Sequence, residues 1–201
     1  VNDHPGASAE LFTLVKVNDG DQFLDAKIIT GDPELLVFTD SGMGIRFESQ
    51  EVRTMGLIAA GVNALKLSPE DKVVAIVPLV GKGEILAVAT DGTGWRVDES
   101  AFPMQGRYGA GVIGFKMSPK THIVGVGYGK MNQQLSIQLE KSAAKVVRMD
   151  AIPAGKRAAV GKKLIEVKPK DTITGVVSSQ DFLDVDTQEP SKPPKSPAKK
   201  R

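Results

Sequence analysis

The fold is decided by a short stretch, LKLSPED at residues 65–71, which recurs at a constant spacing. The same pattern returns as FKMSPKT at residues 115–121 and as IEVKPKD at residues 165–171, and a weaker first copy, VKVNDGD, lies at residues 15–21. Successive copies are 50 residues apart. Self-similarity at about 20 to 50 residues is typical of repeat proteins, in which equivalent units stack against each other. The chain is therefore predicted to fold as a series of equivalent units.

The pattern inside each unit indicates β-structure. Short apolar runs follow the copies, at residues 73–77, 123–127 and 173–177, and residues 36–42 and 86–92 read as β-branched strands that end in an Asp/Gly turn. We find no window with a sustained 3.6-residue apolar period, and the 21 glycines fit many tight turns. We therefore predict an all-β fold with very little helix, a propeller-like disc of about four strands in each 50-residue blade.

The repeats define the domain boundaries. Residues 1–10 are a lead-in, and residues 11–178 hold the repeats, with complete units at about 15–61, 65–111 and 115–161 and a partial unit at 165–178. Residues 179–201 form an acidic-then-basic tail rich in Pro, Lys and Ser. Because such a tail lacks large apolar side chains, it cannot offset the entropy of ordering and is predicted to be disordered. The start at Val1, without a signal-peptide pattern, indicates a fragment of a longer protein.

Composition narrows the class of protein. With 201 residues, of which 41% are apolar and 25% charged, the chain can bury a sizeable core and is predicted to be globular and not to span a membrane. It has no cysteine. This excludes disulfides, thiolate zinc sites and a cysteine nucleophile, and it fits a reducing compartment.

Charge is unevenly distributed, although the net charge is only +2. Residues 1–61 carry ten acidic and four basic side chains, whereas residues 112–161 carry two acidic and eight basic ones. Residues 162–178 add four basic and two acidic side chains. A local excess of positive charge can attract a polyanion even when the whole molecule is close to neutral. A solvated lysine-rich face that improves solubility would have the same composition.

No residue pattern indicates catalysis. The glycine-rich residues 106–111 precede a strand, whereas a phosphate-binding loop should open a helix. His4 and His122 are far apart and lack the spacing of metal ligands. We therefore predict no catalytic residue, no metal site and no cofactor in this chain.

Two segments carry a resemblance to a known family. They are ILAVATDGTGWRV at residues 85–97 and MQGRYGAGVI at residues 104–113, followed by the recurring Asp/Thr-led apolar strand. They resemble the C-terminal repeats of bacterial type IIA topoisomerase A subunits, the family that includes the DNA gyrase A protein and its topoisomerase IV paralogue. The resemblance covers residues 11–178 and is strongest in the second repeat.

The resemblance implies a fold and a function. The fold would be a β-pinwheel, a propeller-like disc whose blades exchange strands, and its basic outer rim would bind, bend or wrap duplex DNA. The partners would be double-stranded DNA and the cleavage core and ATPase subunit of an ATP-dependent topoisomerase, in the bacterial cytoplasm at the nucleoid. The strand-cleaving tyrosine of the family belongs to another domain.

The resemblance also implies which side chains face phosphates. Arg46, Arg96 and Arg148 recur at nearly equivalent positions after the hairpin turn, and other arginines recur in the glycine-flanked element. The alternative role, joining adjacent blades by pairing with Asp or Glu, fits Arg46 best, since it lies in the acidic first repeat. The predicted DNA-binding residues are Arg96, Arg107, Lys116, Lys141, Lys145, Arg148, Lys156, Arg157, Lys162 and Lys163.

The chain departs from the gyrase pattern at two points. The family element Q-R-R-G-G-K-G is represented by a degenerate version that keeps the glutamine, one arginine and two glycines, in the run Gln105, Gly106, Arg107, Tyr108, Gly109, Ala110, Gly111. The choice between a gyrase-like and a topoisomerase-IV-like domain therefore stays open, as does chiral wrapping. Three complete repeats and a partial fourth are also fewer than the family disc usually has, so either upstream blades are cut away or the disc is reduced and open. A protein-interaction scaffold that never meets DNA is the alternative function.

Overall fold

A computed structural model describes residues 13–178, so the predicted lead-in at residues 1–10 and the tail at residues 179–201 lie outside the described residues. Within this range there is no α-helix, and three short 3-10 turns lie at Ser49–Glu51, Glu99–Ala101 and Met149–Ala151. The strands are β1 (Glu34–Thr39), β2 (Met43–Glu48), β3 (Val73–Leu79), β4 (Glu84–Ala89), β5 (Thr93–Asp98), β6 (Val112–Ile113), β7 (Ile123–Gly129), β8 (Gln134–Leu139), β9 (Lys145–Arg148), β10 (Lys162–Lys163) and β11 (Ile173–Ser178).

The strands form three antiparallel sheets, which we call blades 1 to 3. Blade 1 has the order β3-β1-β2-β6, blade 2 the order β7-β4-β5-β10, and blade 3 the order β11-β8-β9. Strand β7 contacts both β3 and β11, so these three strands form the inner side on which the blades meet. The predicted all-β fold with little helix is confirmed.

Each blade is assembled from successive repeats rather than from one. Blade 1 takes the hairpin β1-β2 from the first repeat, the inner strand β3 from the second, and the outer strand β6 from the junction between the second and third. Blade 2 follows the same rule one repeat later. Blades 1 and 2 thus have the predicted four strands, but the strands of one blade do not come from one 50-residue unit. This exchange ties each repeat to two others.

The recurring proline marks a β-turn before each inner strand. The fourth residue of the turn donates its N–H to the carbonyl of the first, at 3.2 Å in residues 68–71, 3.1 Å in residues 118–121 and 3.0 Å in residues 168–171. Proline in the second position and a positive φ in the third are the requirements of a type II turn. The residues with positive φ are not glycines, namely Glu70 (+68°), Lys120 (+65°) and Lys170 (+68°).

The core between blades 1 and 2 is aromatic. The rings of Phe38 and Phe102 meet edge to face with centroids 5.3 Å apart, and those of Trp95 and Phe115 do so at 4.7 Å. None of these four side chains is more than 2% exposed. Because they come from three successive repeats, their packing fixes the outer segments of the blades relative to the hairpins.

Candidate functional site

Two equivalent segments run along the outer edges of the sheets, and we call them the blade 1 rim (residues 103–113) and the blade 2 rim (residues 153–163). The blade 1 rim first bridges β2 in parallel through Met104 and then turns back, so that β6 pairs antiparallel with β2. The blade 2 rim follows the same path on β5, from Ala154 to β10. Each turn contains a non-glycine residue with positive φ, namely Tyr108 (+68°) and Ala158 (+62°).

The degenerate gyrase-like element lies in the blade 1 rim and clamps it onto β2. The N–H of Gln105 donates to the carbonyl of Arg46 (2.7 Å). Gly111 has a φ of +75°, and a Cβ there would lie 2.7 Å from the carbonyl oxygen of Gly44. A Cβ on Gly109 would have 3.4 Å to its nearest neighbour, and one on Gly106 would have 3.9 Å. Sterics therefore require glycine only at position 111.

The two rim arginines join neighbouring repeats. Arg107 donates from Nη1 to the carbonyl of Asn63 (2.7 Å), and Arg157 donates from Nη1 to the carbonyl of Ile113 (2.9 Å). Both side chains are half-buried. Each guanidinium thus holds the rim in place with one N–H. The Nε of Arg107 is also buried, so only the remaining Nη donors of that side chain could reach a phosphate.

The hairpin arginines are held more firmly. Arg46 forms an ion pair with Glu34 and donates to the carbonyl of Phe102 (3.2 Å). Arg96 forms the equivalent ion pair with Glu84, its side chain is 12% exposed, and it donates to a carbonyl of the next repeat. Each carboxylate lies on the other strand of the same hairpin, β1 for Arg46 and β4 for Arg96, so these ion pairs lie within one blade and do not join adjacent blades. The bonds to carbonyls of the next repeat occupy both guanidinium groups further, so we leave Arg96 out of the proposed DNA surface.

Arg148 does not occupy the register position of Arg96, contrary to the sequence interpretation. That position in β9 is held by Val146, and Arg148 stands where blade 2 has Asp98. The Nε of Arg148 donates to Asp150 at the surface (3.0 Å). This hydrogen bond lowers the pKa of Asp150, and the ionised carboxylate offsets part of the positive charge of Arg148.

Five of the predicted residues lie together on the outer edge of blade 2. The backbone N–H of Lys116 donates to the blade 2 rim at Ala159 (3.1 Å), and Lys163 donates from Nζ to the carbonyl of Asp91 (2.7 Å). All four lysines of the group are exposed. We call this group the blade 2 cluster: Lys116, Lys156, Arg157, Lys162 and Lys163.

The remaining predicted residues are separate from this cluster. Arg107 lies on the blade 1 rim, and Arg96 is half-buried behind the blade 2 rim. Lys141, Lys145 and Arg148 are exposed on blade 3, where Lys141 donates from Nζ to the carbonyl of Lys170 (2.8 Å).

Two features were missed in the sequence. Lys66 is the counterpart of Lys116, one repeat earlier, and its N–H donates to the blade 1 rim at Gly109 (2.9 Å). The 50-residue register would have identified it. The carboxylates Glu34 and Glu84 precede their arginine partners by the same 12 residues, and this shared spacing was the available signal.

The outer edge of blade 3 is built differently. Within residues 13–178 no fourth strand pairs with β9. In blade 2 the hairpin residues Gly92, Gly94 and Trp95 lie directly against residues 161–165, which include β10. Charged side chains on a sheet edge oppose strand addition. The equivalent residues of blade 3 are Ser142, Ala144 and Lys145.

Within residues 13–178 no three side chains of His, Cys, Asp or Glu come together as metal ligands would. The Tyr128 hydroxyl donates to Glu99 (2.6 Å), and burial together with this carboxylate raises the pKa of Tyr128. Over the same range, none of the helical turns has the length or hydropathy to cross a membrane.

Comparison with protein families gives one match that spans most of the repeats. A family described as "DNA gyrase C-terminal domain, beta-propeller" matches residues 33–79, 83–127 and 143–180, about two thirds of the chain.

Individual relatives match over shorter lengths. The A subunit of DNA gyrase from Klebsiella oxytoca is 38% identical over 63 residues, which is 31% of this chain and 7% of that protein. The A subunit of DNA gyrase from Kosmotoga olearia is 42% identical over 62 residues, which is 30% of this chain and 8% of that protein. The match to this chain thus spans less than a tenth of these relatives.

Two solved structures share the fold. The C-terminal domain of a DNA topoisomerase IV has a TM-score of 0.79 at 21% identity, over 86% of this chain and 55% of that one. A DNA gyrase A C-terminal domain has a TM-score of 0.77 at 22% identity, over 82% of this chain and 57% of that one.

Proposed function

The chain belongs to the DNA gyrase C-terminal domain family, and from this premise we propose that it binds and bends duplex DNA on its basic outer edge. It acts as the C-terminal domain of the A subunit of an ATP-dependent type IIA topoisomerase and supports supercoiling or another change of DNA topology. Its partners there are the cleavage core and the ATPase subunit, and its location is the bacterial cytoplasm at the nucleoid.

The observation that carries this proposal is the blade 2 cluster. Its five cations lie along one outer edge, on a rim segment paired to β5 and on the residue bonded to it. Lysines and arginines that neutralise phosphates release condensed counterions, and this provides affinity without any reading of bases. Five phosphate contacts correspond to a slope of about −4 to −5 in log affinity against log salt.

A duplex that follows the outer edge from one blade to the next must also bend. Smooth bending of a short site costs on the order of 1 to 6 kcal/mol. Contacts along the edge must exceed this cost, so affinity should require a duplex long enough to reach several cations at once.

The test is the salt dependence of DNA binding. Fluorescence anisotropy with a labelled duplex of several helical turns, titrated across a range of salt concentrations, should give a log-log slope of several units. A protein-interaction scaffold would show neither measurable affinity nor such a slope, and that result would refute the proposal.

Removal of exposed lysines separates DNA contact from folding. The triple variant Lys156→Ala, Lys162→Ala, Lys163→Ala should reduce the slope by about 3 and leave the melting temperature almost unchanged. The rim arginines are kept because they hold the rim in place. The control is the triple variant Lys72→Ala, Lys82→Ala, Lys130→Ala. It removes three exposed lysines that lie outside both rims. Equal losses in both variants would contradict the assignment of the cluster.

Chiral wrapping is tested separately. A nicked plasmid is sealed by ligase in the presence of the protein, and the linking number of the closed circles is measured. A shift indicates that the DNA is wrapped with a fixed hand, whereas unchanged circles together with DNA binding indicate bending without a chiral wrap.

A further inference from the structure

We propose that DNA contact is confined to the blade 2 rim and the outer edge of blade 3, and that the blade 1 rim does not hold the duplex. The inference rests on the proposed function, since it states which part of the outer edge binds the DNA. The comparison is internal to the molecule, because blades 1 and 2 present equivalent segments in the same backbone arrangement.

The two rims share their pairing and differ in their side chains. Val112 pairs with Gly44 on β2, and the equivalent Lys162 pairs with Gly94 on β5. The next residue is Ile113 on blade 1 and Lys163 on blade 2. Gly106 of the blade 1 rim is likewise replaced by Lys156 one repeat later. The difference in charge is therefore not a difference in fold.

Carboxylates offset much of the positive charge of blade 1. The rim itself has one cation, Arg107, and Lys66 is bonded to it through its backbone. The exposed Glu48 and Glu51 lie on and just after β2 and are followed by one further exposed cation, Arg53. Glu51 accepts a hydrogen bond from the backbone N–H of Arg107 (2.8 Å), so a carboxylate lies within the rim itself. The position equivalent to Glu51 in blade 2 is Ala101.

The blade 2 edge keeps an excess of positive charge. Its cluster of five cations is accompanied by two exposed carboxylates, Asp98 on β5 and Glu166 near Lys163 (3.9 Å). Phosphate attraction follows the local potential, so a duplex that approaches this side of the molecule is drawn to blade 2 rather than to blade 1.

Apolar surface further disfavours DNA on blade 1. The side chains of Met104, Tyr108 and Ile113 are 44%, 55% and 51% exposed. A duplex lying there would lose water from its phosphates without gaining a cation in return, and the Tyr108 hydroxyl is the one donor that these three side chains offer. The same positions in blade 2 are Ala154, Ala158 and Lys163, and the exposed apolar side chain of that rim is Val160 (58%).

The positive edge continues onto blade 3. In β9 the exposed Lys145 replaces the buried Trp95 of β5, so a cation faces outward where blade 2 has core. Lys141 is also exposed on this blade. The duplex path therefore runs from the blade 2 rim towards β9.

The matched pair Lys66→Ala and Lys116→Ala tests the inference. Both lysines are exposed, they are one repeat apart, and each donates only its backbone N–H to its rim, which alanine preserves. Lys116→Ala should lower duplex affinity about five- to tenfold at roughly 0.1 M salt and reduce the salt slope by about 1. Lys66→Ala should change neither quantity.

A second variant uses the repeat itself as a template. Replacement of Lys162 by Val and Lys163 by Ile copies the blade 1 pair into blade 2 and should reduce the slope by about 2. Equal melting temperatures for all variants establish that any difference in affinity reflects DNA contact and not a loss of folding.

The outcomes separate this inference from the proposed function. If Lys66→Ala and Lys116→Ala weaken binding equally, or if neither does, the confinement to blades 2 and 3 is overturned while DNA binding stands. If the unaltered chain shows no salt-dependent affinity for duplex DNA, the proposed function fails as well.

Discussion

Gly111→Ala tests the way in which the rim is anchored. The residue has a φ of +75°, and its Cβ would lie 2.7 Å from the carbonyl oxygen of Gly44 and 3.1 Å from its carbonyl carbon. Gly61 is the equivalent residue one repeat earlier, with a φ of +83° and no atom within 4 Å of its Cβ. Gly61→Ala is therefore a control with the same backbone conformation and without the crowding.

The expected losses of stability follow from the left-handed backbone conformation and from the crowding of the added Cβ. A left-handed φ costs a non-glycine residue about 1 to 2 kcal/mol, and both variants bear this cost. Only Gly111→Ala must also push the rim away from β2, which weakens the pairing of β6 with Met43 and Gly44. The loss of one or two backbone hydrogen bonds adds about 1 to 2 kcal/mol. We expect about 3 kcal/mol for Gly111→Ala and about 1 kcal/mol for Gly61→Ala.

Thermal unfolding measures the difference. At about 2 to 4 °C per kcal/mol for a chain of this size, Gly111→Ala should lower the melting temperature by about 6 to 12 °C and Gly61→Ala by about 2 to 4 °C. If the two variants melt at the same temperature, close contact with Gly44 has no role in anchoring the rim, and the steric argument is refuted.

Three other outcomes follow from the structure. Lys120→Gly relieves the strain of a positive φ of +65° and should raise the free energy of unfolding by up to about 1 kcal/mol. The greater flexibility of glycine in the unfolded chain offsets part of this gain, and thermal melting measures the net effect. Arg96→Val leaves Glu84 unpaired and should cost about 2 to 3 kcal/mol, whereas the double variant with Glu84→Gln should recover part of this loss in a double-mutant cycle. The N–H of Arg96 donates to the blade 2 rim (3.1 Å), and no strand pairs with the outer edge of β9 within residues 13–178. The amide of Val146 on β9 should therefore exchange with deuterium faster than that of Arg96. Equal protection of the two amides would show that the outer edge of β9 is covered.

The repeat and its β-character were predictable because they depend on local chemistry. A proline in the second position of a turn, apolar runs of strand length and glycine at hairpin ends act over a few residues. The 50-residue register carries this information from one unit to the next. It also makes Lys116 the equivalent of Lys66 one repeat later, although only Lys116 was predicted from the sequence as a DNA-binding residue.

The roles of the arginines could not be predicted from residue type. A guanidinium after a hairpin turn could equally face solvent or a carboxylate. The structure shows that Arg96 reaches Glu84 across the hairpin and a carbonyl 56 residues further along the chain. The misplacement of Arg148 has a similar origin, because register within a sheet is set by pairing with β8 and not by distance from a turn.

The sequence by itself determined the repeat, the all-β class and the concentration of positive charge after residue 112, because periodicity, turn chemistry and charge can be read without coordinates. Only the tertiary structure decided which segments of successive repeats make up each of the first two blades, and hence which cations share an outer edge. The physical reason is that a strand pairs with whichever edge packing leaves open, and for the outer strands β6 and β10 that edge belongs to residues 68 to 70 positions away in the chain.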